Sequence, residues 1–336
     1  MLVSEILRIK GHTLFTTTPE RSVLEAVEVM MEGFADHPVV RATFAEASDL
    51  IGDDLWSLVE HGPIEGLNLT RNTQPVMLTA GVAVWRVWQA VDGRAPSFVA
   101  GHSLGEYTAL VAAGALDFKD AVPLVRFRAE AMQQAVAPGV GAMAAVIGAD
   151  DAAVADACRE AAQGEVVEPV NFNAPGQIVI AGNKAAVERA IVAAKARGAK
   201  RGLLLPVSAP FHSSLLKPAA ERLAARLAQV EIRAPLIPVV HNVDVATHTA
   251  SDEIRAALAQ QAASPVRWTE TIKSLALQGV TAVVECGPGK VLAGLTRRID
   301  PSLNGYALTD GAALDEARGA LAAAWCISYG AACARR

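Results

Sequence analysis

The sequence predicts an α/β protein in which a small domain interrupts a larger one, and three observations support this fold class. A G-x-S-x-G pattern, Gly101-His-Ser-Leu-Gly105, lies between a short apolar run and an alanine-rich helical segment. Residues 140–206 show the order strand, helix, strand, strand, helix, strand, which is the ferredoxin-like order. Helices and short apolar strands resume after residue 207. Because the inserted order returns the chain to its starting point, the larger domain can continue on both sides of it.

Helical periodicity dominates the chain before residue 140. The predicted helices cover residues 38–47, 55–60, 73–87, 106–116 and 121–136. Thr73-Gln-Pro75 is expected to cap the third helix. The run Phe98-Val-Ala100 predicts a short strand that leads into the G-x-S-x-G turn. Residues 1–28 are harder to interpret: residues 6–9 could form a short strand, Thr16-Thr-Thr-Pro-Glu20 resembles a helix start, and residues 23–31 are mostly compatible with a helix.

The inserted region and the rest of the chain alternate between strands and helices. Strands are predicted at 142–147, 166–171, 177–181, 201–207, 237–240 and 282–285, and helices at 150–162, 183–199, 218–230, 252–262, 268–277 and from 291 onward. We therefore expect the large domain to comprise residues 1–139 and 207–320, the inserted domain residues 140–206, and an atypical tail residues 321–336.

The composition is that of a globular protein without a nucleic-acid or membrane role. Hydrophobic residues make up 52% and charged residues 19% of the chain, and the net charge is −5. There is no uninterrupted apolar stretch of about 18 residues, and the first residues lack the basic-then-apolar order of a signal peptide. The cysteines, Cys158, Cys286, Cys326 and Cys333, lack metal-type spacing. We expect a cytoplasmic protein with reduced thiols and with neither metal nor cofactor.

Ser103 is the candidate nucleophile. In a strand–turn–helix context, glycines at 101 and 105 let strand and helix pass closely and expose the serine near the first N–H groups of the helix. The alternative is a plain tight turn that carries a surface serine.

A serine needs a base before it can attack. The chain has seven histidines, namely His12, His37, His61, His102, His212, His241 and His248. His212 follows a predicted strand, in a loop of the kind where catalytic residues gather. His102 adjoins Ser103, but a residue inside such a turn normally points elsewhere. Sequence spacing alone does not choose among the seven.

From about residue 30 to about residue 308 the chain closely resembles the malonyl-CoA:acyl-carrier-protein transacylases. The matching segments occur in the family's order and are Thr73-Gln-Pro75, Gly101-His-Ser-Leu-Gly-Glu106, Arg128, Gly141-Ala-Met143, Asn171-Phe-Asn-Ala-Pro-Gly-Gln177, Pro210-Phe-His212, Asn242-Val-Asp244 and Gly287-Pro-Gly-Lys290. The resemblance implies an α/β-hydrolase-like large domain with an inserted ferredoxin-like small domain, in agreement with the predicted elements.

The resemblance also implies catalytic roles. Ser103 would be acylated by malonyl-CoA, with His212 as the base and then the acid. The backbone carbonyl of Gln261 would orient the histidine in place of an aspartate, and the Leu104 N–H would donate to the oxyanion. The second half of this ping-pong reaction would transfer the malonyl group to the phosphopantetheine thiol of acyl carrier protein.

For the substrate, the resemblance implies that Arg128 pairs with the malonyl carboxylate and that Phe211 disfavours a methyl branch at C2. It places four further polar residues at the cleft, namely His102, Asn171, Asn173 and Gln177. The last three have an alternative role, which is to satisfy backbone groups of their own turn. The basic residues Lys195, Arg197, Lys200 and Arg201 form either a surface for the acidic carrier or an ordinary solvated face. We expect a monomer.

One family feature is missing. The family begins with a strand and a G-Q-G-S-Q loop whose glutamine N–H is the second oxyanion donor, and this loop should fall near Arg21-Ser-Val-Leu-Glu25. No G-Q-G occurs before Ser103. Two explanations are a misread N-terminal segment and a catalytically impaired homologue that binds the carrier protein. A serine esterase or thioesterase is the other alternative, although His212 lies far from the C-terminal position usual for that class.

Overall fold

The computed structural model describes residues 23–207 and 209–333. Predictions for residues 1–22, including the first two positions of the expected G-Q-G-S-Q loop, lie outside the described residues. The other three positions of that loop, Val23 to Glu25, lie in the first helix. In the described ranges no helix is long and apolar enough to cross a membrane.

The part of the large domain that precedes the inserted region in sequence is mostly helical. They are α1 (Val23–Gly33), α2 (Pro38–Ile51), α3 (Leu55–His61), α4 (Ile64–Asn68), α5 (Thr70–Val91), α6 (Gly105–Ala112) and α7 (Phe118–Gln134). Strand β1 (Val99–Ala100) leads into α6. The buried faces of α2, α5, α6 and α7 share one hydrophobic core, which we call the first core, with Phe44, Leu78, Tyr107 and Leu124 among its members.

The inserted region forms the predicted ferredoxin-like unit. Its elements are β2 (Gly141–Ile147), α8 (Asp151–Ala162), β3 (Val167–Ala174), β4 (Gln177–Asn183), α9 (Lys184–Ala196) and β5 (Arg201–Leu204). The sheet is antiparallel with the order β3-β4-β2-β5. The two helices cover one face through a separate core that includes Val154, Ile178 and Val187. The predicted fold class is confirmed.

The chain then returns to the large domain. It forms a short 3₁₀ turn (Ser214–Leu216), α10 (Lys217–Leu227), β6 (Val239–Val240), α11 (Ser251–Gln261), α12 (Trp268–Leu277), β7 (Ala282–Cys286), α13 (Val291–Ile299), β8 (Asn304–Leu308) and α14 (Gly311–Cys333). β8 and α14 have no counterpart among the predicted elements. A second core, around Val266, Trp268 and Ile272, lies on the α12 side.

The parallel strands of the large domain form two separate pairs. β1 pairs with β6, and β7 pairs with β8. Val99 and Val284 pack against the first core, whereas Ala100 and Val283 pack against the second, so both pairs separate the same two cores. Parallel strands are normally buried on both faces, yet β1 and β7 are only half-buried. Within the described ranges no strand joins the two pairs.

The start of α5 differs from its prediction. The helix begins at Thr70, so that Pro75 lies inside it and Thr73 does not cap it. A proline in a helix leaves the carbonyl four residues earlier without its usual donor. Here that carbonyl belongs to Arg71, and Nη1 of Arg126 donates to it at 3.4 Å. A neighbouring helix thus replaces the missing hydrogen bond, which sequence periodicity does not reveal.

Candidate active site

The G-x-S-x-G segment forms a sharp turn between β1 and α6. Ser103 has a φ of 53°, in the left-handed region where residues other than glycine are strained. Gly101 is required at the close approach, because a Cβ there would lie 1.9 Å from the Gly105 carbonyl group. The side chain of Asn242 holds the turn, since its Oδ1 accepts the Ser103 N–H at 2.7 Å and its Nδ2 donates to the Gly101 carbonyl at 2.8 Å.

His212 is the histidine that lies against the serine. Its Nε2 is 2.7 Å from Ser103 Oγ, and its Nδ1 is 2.8 Å from the backbone carbonyl of Gln261. Because a carbonyl only accepts, Nδ1 carries the hydrogen and the lone pair of Nε2 faces the hydroxyl. Burial, and then the positive charge of Arg128, lower the His212 pKa to about 3. The ring is therefore neutral near pH 7 and able to take the serine proton.

Arg128 brings a buried positive charge to the same point. Its Nη2 is 3.2 Å from Ser103 Oγ and 2.8 Å from Gln261 Oε1, while its Nη1 is 2.7 Å from Gln74 Oε1. Only 2% of the residue is exposed, and its Nε–H has no acceptor in the described part of the chain. Among the described residues, no carboxylate forms an ion pair with it. A buried cation of this kind is suited to binding an anionic group.

Leu104 follows the serine at the start of α6. Its backbone N–H has no hydrogen-bond acceptor within the described ranges, whereas the N–H of Ser103 is occupied by Asn242. The Leu104 N–H is therefore free to donate to the oxygen of an acyl group attached to Ser103.

The four further polar residues predicted at the cleft, namely His102, Asn173, Gln177 and Asn171, differ in their hydrogen-bond partners. His102 Nε2 is 2.9 Å from Asn173 Oδ1, and the His102 ring packs against the edge of Trp268. Gln177 is bound by Arg298 Nη1 and makes no hydrogen bond to Ser103 or His212 among the described residues. Asn171 lies opposite Val266, whose backbone hydrogen-bonds to the neighbouring residues Val170 and Phe172, and the side-chain oxygen of Asn171 is buried without a partner in the described ranges.

Phe211 precedes the candidate base and is half-buried. It packs against both the first core and a small cluster on the inserted sheet that includes Met143 and Val179. The aromatic ring is thus part of the contact between the inserted unit and the large domain, directly beside His212.

Two buried residues that the sequence does not single out complete the framework. Glu106 is fully buried and accepts hydrogen bonds from His241 Nδ1 at 2.6 Å, the Asn242 N–H at 3.1 Å and Gln261 Nε2 at 2.9 Å. Glu106 and Asn242 stand in segments that carry the family resemblance, which is the only sequence signal for them. His241 is one of the seven candidate bases, but the structure directs it to Glu106 rather than to Ser103.

Cys158 and Cys286 are not competing nucleophiles. Cys158 is buried in the inserted unit and Cys286 ends β7. Burial raises the pKa of each thiol to about 12, so both are protonated near pH 7. In the described ranges, no group of three or more histidine, cysteine or acidic side chains could hold a metal ion.

The fold and the centre together define an acyl transferase. A hydroxyl beside a neutral histidine, a free N–H at a helix start and a buried guanidinium are suited to the transfer of an acyl group that carries negative charge. The Acyl transferase domain family model matches residues 30–300. The chain belongs to this family and, within it, to the malonyl CoA-acyl carrier protein transacylases, which confirms the resemblance found in the sequence.

Individual relatives support this assignment. The chain is 56% identical over 290 residues to the malonyl CoA-acyl carrier protein transacylase of Escherichia coli (strain K12), covering 86% of this chain and 94% of that protein. It is similar to the crystal structure of an acyl-carrier-protein S-malonyltransferase from Burkholderia pseudomallei 1710b, with 60% identity, a TM-score of 0.84 and coverage of 86% and 94% of the two chains. A malonyl-transacylase in complex with a type II PKS acyl-carrier protein matches at 55% identity with a TM-score of 0.84, covering 85% of this chain and 93% of that one.

Proposed function

We propose that the chain transfers the malonyl group of malonyl-CoA to the phosphopantetheine thiol of acyl carrier protein and so supplies fatty-acid synthesis. One observation carries the choice of acyl group, which is the Arg128 guanidinium 3.2 Å from the serine oxygen with no carboxylate of the described chain beside it. A malonyl group attached to Ser103 has a free carboxylate within reach of this cation. A guanidinium binds such a carboxylate through two parallel hydrogen bonds.

The first half-reaction forms a malonyl ester. Ser103 Oγ attacks the thioester carbonyl while His212 Nε2 accepts the hydroxyl proton. The oxygen of the tetrahedral intermediate takes up negative charge and accepts the Leu104 N–H. As the carbon–sulfur bond breaks, His212 returns the proton to the CoA thiolate. The Gln261 carbonyl stabilises the transient imidazolium through Nδ1.

The second half-reaction reverses these steps with a new thiol. His212 takes the proton of the phosphopantetheine thiol, whose sulfur attacks the ester carbonyl. The ester bond then breaks, and His212 returns the proton to Ser103 Oγ. The result is a ping-pong transfer in which neither half consumes water.

The proposal is tested by intact mass spectrometry of the chain after incubation with malonyl-CoA. We expect one malonyl adduct. Tandem mass spectra of the peptide that contains Ser103 should assign the adduct to this residue, and added acyl carrier protein should remove it. A folded chain that binds the carrier protein but carries no adduct would instead support the impaired homologue without the G-Q-G-S-Q loop. Rapid release of free malonate without the carrier would support a thioesterase.

The low His212 pKa predicts a flat pH profile. The rate of Ser103 malonylation is expected to be constant within about twofold between pH 5 and pH 8, because the base is already neutral throughout this range. Stopped acylation reactions analysed by mass spectrometry measure this rate. A rate that falls tenfold per pH unit below about 6.5 would show a histidine with its ordinary pKa and contradict the prediction.

Phe211 is expected to limit substrate size beside the base. We predict that malonyl-CoA acylates Ser103 at least about tenfold faster than methylmalonyl-CoA, because a methyl branch must fit against a ring held by two cores. Phe211→Ser should narrow this ratio through faster methylmalonyl transfer. Equal rates for the two thioesters with the unchanged chain would contradict the prediction.

We propose the exposed basic residues at the end of α9 as the docking surface for the acidic carrier protein. Lys195 and Lys200 are exposed, while Arg197 forms an ion pair with Glu160. The double variant Lys195→Glu/Lys200→Glu is expected to raise the KM for carrier protein about tenfold or more at low salt and to leave the KM for malonyl-CoA unchanged. An unchanged KM for the carrier protein would mean that these lysines are an ordinary solvated face.

The domain boundaries at residues 140 and 206, a monomeric state and a cytoplasmic location remain predictions from the sequence.

A further inference from the structure

Glu106 is a buried carboxylate that the reaction steps above do not use. Its oxygens accept the Asn242 N–H at 3.1 Å and the Gln261 Nε2–H at 2.9 Å, and Oε1 lies 2.6 Å from His241 Nδ1. The carboxyl group is completely buried, so its oxygens must find their hydrogen-bond partners within the site.

The Gln261 side chain links this carboxylate to Arg128. The Gln261 Nε2 donates to Glu106 Oε2 at 2.9 Å and to the Ser103 carbonyl at 2.8 Å, which leaves Gln261 Oε1 to accept Arg128 Nη2 at 2.8 Å. If the amide were turned over, its oxygen would face two acceptors and its NH₂ group would face the guanidinium. The Glu106 carboxyl oxygen and the Ser103 carbonyl together thus fix the direction of the amide.

We propose that Glu106 is a positioning residue that, through the Gln261 side chain, directs Arg128 toward the carboxylate of the acyl group. This inference rests on the proposed malonyl transfer. The Glu106 carboxyl group lies one amide group away from the buried guanidinium. A carboxylate in direct contact would occupy the same N–H groups that the substrate needs, whereas the intervening amide leaves the Nε–H of Arg128 free.

Recognition of the acyl carboxylate is tested by comparing two acyl groups. Acetyl-CoA offers the same thioester as malonyl-CoA without the carboxylate. We expect Glu106→Gln to lower the ratio of the malonyl to the acetyl acylation rate of Ser103 by about 10- to 100-fold, the range for loss of a hydrogen-bond network to a charged group. A purely structural role would lower both rates together and leave the ratio unchanged.

Three further variants show whether Glu106 acts through Gln261 and Arg128. In an Arg128→Ala background, Glu106→Gln is expected to change the ratio by less than about twofold, because the residue through which it acts is gone. Glu221→Gln is the matched control, since Glu221 is exposed on α10 and loses the same charge. If Glu106→Gln does not fold, Gln261→Met interrupts the same link while it keeps the backbone carbonyl that holds His212, and the same fall in the ratio is expected.

The outcomes separate this inference from the proposed function. An unchanged chain without a malonyl ester at Ser103 would overturn both. An unchanged chain that forms the ester, together with a ratio that Glu106→Gln or the folded Gln261→Met variant leaves within about threefold, would overturn this inference alone. A ratio that still falls in the Arg128→Ala background would also overturn it, because Glu106 would then act by another route.

Discussion

Malonylation of Ser103 is expected to slow by about 10,000-fold when His212 is replaced by asparagine, because the serine hydroxyl then has no base. Asparagine is a better replacement for His212 than alanine. His212 has a φ of 65°, and asparagine tolerates this left-handed conformation better than other non-glycine residues. The substitution therefore removes the base with little added strain, and rapid-quench acylation followed by mass spectrometry measures its effect.

The control for this variant is His61→Asn. His61 lies at the end of α3 with an exposed side chain, so its replacement should leave the acylation rate unchanged. Thermal unfolding of the His212 variant shows whether the site remains folded. A folded variant that retains more than about a tenth of the rate would mean that another group deprotonates the serine.

The sequence predicts the nucleophile well because the signal is local. Gly101, Ser103 and Gly105 fall within one turn, and the steric requirement for glycine acts over a few residues. The base is different, since His212 lies 109 residues from Ser103 along the chain and the Gln261 carbonyl a further 49. Nothing in the spacing of seven histidines encodes those distances, and only the family resemblance selected His212.

Glu106 shows why part of the framework could not be predicted. A glutamate in the first turn of a helix is stabilised by the helix dipole and is normally solvated. Its complete burial depends on the segment His241–Asn242 and on the end of α11, which are more than 130 residues away. Tertiary packing supplies the three donors, so no local pattern marks the residue as part of the site.

The strands of the large domain show the same limit. β1 and β6 have two residues each. Their apolar runs predict where the two strands lie in the sequence, but they are too short to predict which strands pair. β8, Asn304-Gly-Tyr-Ala-Leu308, begins with two turn-forming residues and lacks a strong apolar pattern. It is recognisable as a strand only through its parallel pairing with β7.

Arg126 and Arg128 lie on the same helix, but their side chains point to different parts of the structure. Arg126 points away from the nucleophile, toward Asp53 and Asn72. Arg128 is the arginine beside Ser103, and its replacement by alanine is expected to lower the rate of malonylation by about 100- to 1,000-fold, the cost of removing one partner of a buried charge pair. Acetylation should change little, because an acetyl group has no carboxylate. The measurement is the acylation rate of Ser103 with each thioester.

The same comparison distinguishes charge from geometry. Arg128→Lys keeps the positive charge but loses the planar fork, so it should recover only part of the malonylation rate. Arg126→Ala removes an equal charge from the same helix and should leave the malonyl-to-acetyl ratio unchanged, whatever it does to stability. If Arg128→Ala and Arg126→Ala shift the ratio equally, the general positive potential of α7 would select the substrate. If only Arg128→Ala shifts it, the selection resides in the hydrogen bonds that this guanidinium directs at the acyl carboxylate.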